Sequence, residues 1–102
     1  MLIVFTTTPN ITEAEGLAQK IVEAKLAACV QVLPQITSFY FWENAVQRDA
    51  EHLLFIKTLP AKFAELEKFI QENHSYEVPE IVAVKSENVS EKYFGWLKNY
   101  LD

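Results

Sequence analysis

Two extended segments with large apolar side chains on both faces constrain this chain more than any other feature. Residues 28–42 and 46–58 flank a short polar break, and the first ends in four consecutive aromatics, Phe39-Tyr40-Phe41-Trp42. Successive side chains of a strand point to opposite faces, so such a run puts rings on both. Leu53-Leu54-Phe55-Ile56 repeats the situation on the other segment. The intervening Glu43-Asn44-Ala45 suits a reversal, because asparagine tolerates positive φ. Together the segments read as one long hairpin. The first, 15 residues long, reaches roughly 50 Å when extended at about 3.3 Å per residue. A compact chain of 102 residues has a radius of gyration of only about 13 Å. The hairpin is therefore expected to protrude. Pro34 marks an edge or a bulge in it, since proline donates nothing to a sheet ladder.

The rest of the chain supplies one domain, residues 1–102, around that hairpin. Leu2 to Thr7 lacks polar alternation, as expected of a central strand covered on both faces. Thr12 and Glu15 form a capping-box pattern, and Ala14, Leu17, Ala18, Ile21 and Val22 follow helical spacing, which predicts a helix over about Glu13 to Lys25. Pro60 suits the first turn of a second helix, with Phe63, Leu66, Phe69 and Ile70 as its buried stripe and an end near Asn73-His74. Ile81 to Val84 reads as a buried strand. Asn88 or Ser90 caps a final helix rich in aromatics. The order β-α-β-β-α-β-α matches, over its first six elements, the α+β split βαβ or ferredoxin-like arrangement. A four-stranded antiparallel sheet of this kind carries both helices on one face. The other face and the hairpin are left without cover, and an apolar surface of that size marks an interface. A closed ring of copies is the expected solution.

Composition narrows the function. A formal net charge of −5 argues against nucleic acid and against an anionic membrane surface as partners. No apolar run approaches the roughly 20 residues of a membrane span. The basic stretch that opens a secretory signal is missing, and a single cysteine fits a reducing compartment, so the cytoplasm is the expected location. No nucleophile and base occur in a recognisable set, so a non-enzymatic role is expected.

The residues that offer chemistry are few. Copper and zinc favour thiolate and imidazole donors. Cys29 is either a small buried hydrophobe or a metal-binding thiol at a cleft between subunits. His74 either complements a helix C-terminus or acts as a metal ligand with Glu72 or Glu77. His52 reads as an ordinary sheet residue. Lys57, Tyr40, Trp42 and Glu80 are the candidates for lining a cleft between subunits, with Lys57 and Arg48 either pairing with carboxylates or holding an anion. Thr6-Thr7-Thr8 precedes a helix start but lacks the glycines of a phosphate loop.

Four segments carry a resemblance. Ala27-Ala28-Cys29-Val30-Gln31-Val32-Leu33-Pro34, Ser38-Phe39-Tyr40-Phe41-Trp42-Glu43, Glu51-His52-Leu53-Leu54-Phe55-Ile56-Lys57-Thr58 and His74-Ser75-Tyr76-Glu77-Val78-Pro79-Glu80-Ile81 occur in the order and spacing of the CutA divalent-cation-tolerance family. The chain resembles that family over essentially its full length. The resemblance implies a ferredoxin-like fold and a tight homotrimer with long hairpins packed on neighbouring subunits, similar in architecture to trimeric PII signalling proteins. It also implies a role in tolerance of divalent metal ions, with weak binding of copper or another divalent metal and no required cofactor. The positions proposed as copper ligands in some bacterial members fall here on Thr6, Asn73 and His74, of which only His74 is an imidazole. The alternatives are a PII-like trimer that binds a small metabolite or anion between subunits, and a structural trimeric scaffold.

Overall fold

The computed structural model describes residues 1–102. The strands are β1 (Leu2–Thr8), β2 (Cys29–Trp42), β3 (Ala45–Thr58) and β4 (Val82–Lys85), and the helices are α1 (Ile11–Glu23), α2 (Phe63–Asn73) and α3 (Glu91–Leu101). The sheet order is β2-β3-β1-β4, with every pairing antiparallel. This is the expected split βαβ topology with a helix appended. A single 3-10 turn, Pro60–Lys62, leads into α2. Proline belongs there, because its missing N–H would have no intrahelical partner anyway.

One expected helix start moves. Asn10, not Thr12, caps α1: its extended backbone lets Oδ1 accept from the Glu13 N–H at 2.8 Å. Thr8 Oγ1 donates to the Asn10 carbonyl and steadies the cap. Asparagine is among the strongest cap residues, and Thr12 is left inside the first turn. At the other end, the Ser90 hydroxyl accepts from the Tyr93 N–H and caps α3, which settles the choice between Asn88 and Ser90.

Strand register sorts the side chains into two layers. Leu2 and Val4 of β1 stand with Leu54 and Ile56 of β3 and with Val30 and Val32 of β2 on one face. That face packs against Ala14, Leu17 and Ile21 of α1 and Leu66 and Ile70 of α2, and this layer is the main core. Ile3 and Phe5 share the other face with Phe55, Val82 and Val84. Phe5 and Phe55 meet edge to face at 5.0 Å there. Helix α3 covers only one end of this second face. Leu97 and Leu101 pack on Ala28 beside Met1 and Leu59. Tyr100 reaches back to donate to the Val22 carbonyl at 2.6 Å. Val82 and Val84 stay about half exposed, and so does Trp96.

The hairpin outruns the sheet. Strand β1 pairs with β3 only from His52 to Thr58, so residues 45–51 of β3 and 36–42 of β2 form a ribbon of two strands. Seven residue pairs extend it by about 23 Å at 3.3 Å per residue, and the longest dimension of the molecule is 45 Å. Glu43 and Asn44, both at positive φ, make the tight turn. The bulge falls at Pro34 and Gln35, where the register shifts and Gln35 takes a φ of 42°. Phe39, Phe41 and Val46 near the tip remain 66–72% exposed in one subunit. Half of the residues are apolar, yet only 19 of 102 are buried. A two-stranded ribbon is marginal in water by itself. The apolar material left outside this core matches the expectation of a surface meant for contact.

Candidate functional site

One face of the ribbon, the end of β1 and the loop after α2 border an open cavity of about 580 Å³. Register explains its walls. Glu51 lies opposite Ile36, so Glu51 and Asp49 share a face with Ser38, Tyr40 and Trp42. Thr7 stands opposite Leu53, on that same second face of the sheet, and closes the floor. The loop from Ser75 to Glu80 forms the remaining wall.

That loop is held by one histidine. The side chain of His74 is fully buried. Its Nε2 lies 2.6 Å from the Thr7 carbonyl, and its Nδ1 lies 2.9 Å from the Tyr76 backbone nitrogen. A carbonyl only accepts and an amide N–H only donates, so the hydrogen sits on Nε2 and the Nδ1 lone pair is used. Glu13 of α1 approaches Nδ1 at 3.5 Å and accepts from the Ser75 N–H. Tyr76 is thereby aimed at Glu51, and its hydroxyl donates to Glu51 Oε2 at 2.7 Å.

Glu51 is the unusual group of the site. It is 7% exposed and has no lysine, arginine or histidine within ion-pair distance. Tyr76 is its one side-chain partner. Burial raises the Tyr76 phenol far above its ordinary range, and the bond to Glu51 adds to the shift. Tyr40 donates to Asp49 and is raised first by that bond. Glu80, on the opposite wall, is raised by burial and then by the nearby Glu51 charge. The cavity is thus lined by aromatic rings and carboxyl groups, with Glu51, Glu77 and Glu80 among them and no basic side chain.

The expected site residues divide. Tyr40, Trp42 and Glu80 line the cavity. Lys57 lies elsewhere: its Nζ sits over the Tyr93 ring at 5.5 Å, against α3, and pairs with no carboxylate. Arg48 likewise covers Phe39. Cys29 is half-buried beside Tyr93, whose phenol is raised first by burial and then by the neighbouring thiol. Cys29 and His74 are not brought together. Cys29 is level with Ile3 through Lys57, whereas His74 is tied to Thr7, four residues or about 13 Å along β1. No group of three His, Cys, Asp or Glu residues in the chain has the geometry of a metal cage.

Comparison with known proteins fits this architecture. Residues 2–100 match the model of the family described as CutA1 divalent ion tolerance protein. The chain belongs to the CutA1 divalent ion tolerance family. A CutA protein of Arabidopsis thaliana, named as chloroplastic, is 45% identical over 98 residues, which is 96% of this chain and 54% of that protein. The chain spans about half the length of the plant CutA relatives it matches. The crystal structure of CutA1 from Oryza sativa superposes with a TM-score of 0.96 at 42% identity, covering 99% of this chain and 93% of that one. The structure of the periplasmic divalent cation tolerance protein CutA from Archaeoglobus fulgidus gives 0.96 at 33% identity, with all of both chains covered. CutA proteins thus occur under names that place them in different compartments. No helix of this chain is long and apolar enough to cross a membrane.

Glu51 and Tyr76 are the site residues that sequence reasoning missed. Period two offered one signal: Glu51 occupies the face shared by Leu53 and Phe55, where a carboxyl group needs a reason to be. Nothing in the sequence joined it to Tyr76, which lies 25 residues away in an irregular loop.

Proposed function

We propose that the protein is a homotrimeric binding module in divalent-cation tolerance, and that the cavity walled by Glu51, Tyr76 and Glu80 is its ligand site. The observation that carries this reading is the near-complete burial of Glu51 beside an open cavity with no basic partner. Structure alone would favour an apolar residue there, since an unpaired buried charge is costly. The half-bare sheet face and the exposed ribbon support trimer formation. The role is one of binding and response, as in PII-like sensors, rather than catalysis. The single cysteine supports a reducing compartment such as the cytoplasm.

A thermal-shift screen of amines, nucleotides, small anions and divalent metals, run on wild type and Tyr76→Phe, tests the reading. At least one compound class should raise the melting temperature of wild type more than that of the variant. Equal shifts for both proteins, or none, would contradict the assignment. Direct metal binding, copper included, is the second reading, favoured by the family's description. Through His74 it would require that ring to give up two hydrogen bonds. Calorimetric titration with Cu(I) and Cu(II) decides it: binding that falls in His74→Ala or Cys29→Ser would establish those ligands.

A further inference from the structure

We infer that the cavity beside Glu51 binds a small organic cation, an amine or quaternary ammonium, rather than an anion or a bare metal ion. The inference rests on the reading of that cavity as the ligand site and names its ligand class.

Three features of the walls select this class. The first is charge. Glu51, Glu77 and Glu80 line the cavity, and no lysine, arginine or histidine does. Two cations of the hairpin lie elsewhere: Arg48, paired with Phe39, is on the opposite face of the ribbon from Glu51 and Tyr40, and Lys57 lies over Tyr93 on another part of the sheet. An anion entering here would meet only like charge. The second is the aromatic lining. Tyr40, Trp42 and Tyr76 contribute rings to the walls, and aromatic faces attract ammonium groups, tryptophan most strongly. The third is spacing. The carboxyl groups do not converge into any set of three that could hold a metal ion. They are spread around about 580 Å³, a volume typical of sites for organic molecules. A dispersed carboxyl set with ring faces between suits a cation whose charge sits on a carbon frame.

Glu51 is the anchor. Its Oε2 accepts from Tyr76, and its other oxygen has no hydrogen-bond partner in the chain. Since Glu51 is more than nine-tenths buried and lines the cavity, the cavity is where that oxygen can find a donor. An ammonium N–H would give that cavity-facing oxygen a charged donor in place of solvent, and would supply the countercharge that Glu51 lacks. Burial raises the affinity of Glu80 for a proton, and the Glu51 charge adds to it; a bound cation would offset both.

Isothermal titration of the assembled protein with putrescine and choline tests the inference, with citrate, glycerol and Mn2+ as the contrasting probes. Putrescine or choline should bind saturably. Glu51→Gln should weaken that binding at least tenfold, and Glu80→Gln, on the opposite wall, should weaken it several-fold. Glu15→Gln, which removes the same charge from the outer face of α1, should leave it unchanged. If citrate, glycerol or Mn2+ binds in a Glu51-dependent way while the amines do not, the cation class is wrong and the cavity reading stands. If no probe binds the folded wild type, or if a neighbouring subunit's own side chain fills the cavity, both are overturned.

Discussion

Replacing Glu51 by glutamine should make the unliganded protein more stable. Glutamine keeps the shape and retains a carbonyl oxygen that accepts from the Tyr76 hydroxyl, now 2.7 Å from Glu51. A charge-assisted hydrogen bond becomes a neutral one, a loss of about 1 kcal/mol. Against this, the substitution removes a carboxyl group that is 7% exposed and has no cation beside it. Burying an ion costs several kcal/mol after relaxation, and the open cavity reduces that to about 2–3 kcal/mol here. Repulsion with Glu80 is relieved as well. The net gain is about 1–2 kcal/mol per subunit, or a rise of roughly 4–8 °C in melting temperature for each kcal/mol in a domain of this size. Thermal unfolding at pH 7, at one fixed protein concentration, is the assay, because association makes the midpoint depend on concentration. A fall of comparable size would refute the argument and make Glu51 a structural clasp for the Tyr76 loop. Binding sites are where such costs are tolerated in exchange for function.

Gly16 lies on the exposed side of α1 with nothing within 4 Å of a Cβ placed there, so Gly16→Ala should stabilise by about 0.5–1 kcal/mol in urea unfolding. The phenols of Tyr40, Tyr76 and Tyr93 are all raised above their usual value. The folded state therefore holds those protons more tightly than the unfolded one; the stability they lend is complete below about pH 10 and is lost as pH rises through their folded values. Tyrosine absorbance at 295 nm should accordingly titrate late, with unfolding accompanying it; an ordinary titration of all four tyrosines in the folded protein would contradict this. Phe41→Glu places a charge near the ribbon tip at a side chain 68% exposed in the single subunit, so far-UV circular dichroism should stay native while the assembly weakens. Unchanged mass at low micromolar protein would count against that contact.

Much of the architecture was legible because local signals agreed. The stripes Leu17–Ile21 and Leu66–Ile70, the proline opening the second helix, and Glu43-Asn44 at the turn each pointed to the element that formed. The cap of α1 was misread because two adjacent stretches offered one, and the asparagine directly after Pro9 prevailed over the Thr12–Glu15 pattern. The site was half legible. Tyr40 and Trp42 stood out as aromatics on a two-sided ribbon, whereas Glu51 joined them only once the bulge at Pro34 and Gln35 had fixed which face each residue takes. A register shift exchanges faces, and no residue type announces it. Lys57 was drawn into the expected site as a cation in an apolar strand, but α3 supplies it with the face of Tyr93. Contacts made across long sequence separations decide such placements.

One copy of this chain leaves a large apolar area of sheet and ribbon in water, and the proposed trimer covers it. Light scattering after size-exclusion chromatography, at low micromolar concentration, measures this directly. Three chains of 11.7 kDa predict a particle of about 35 kDa. A folded, stable particle of 11.7 kDa would contradict the account.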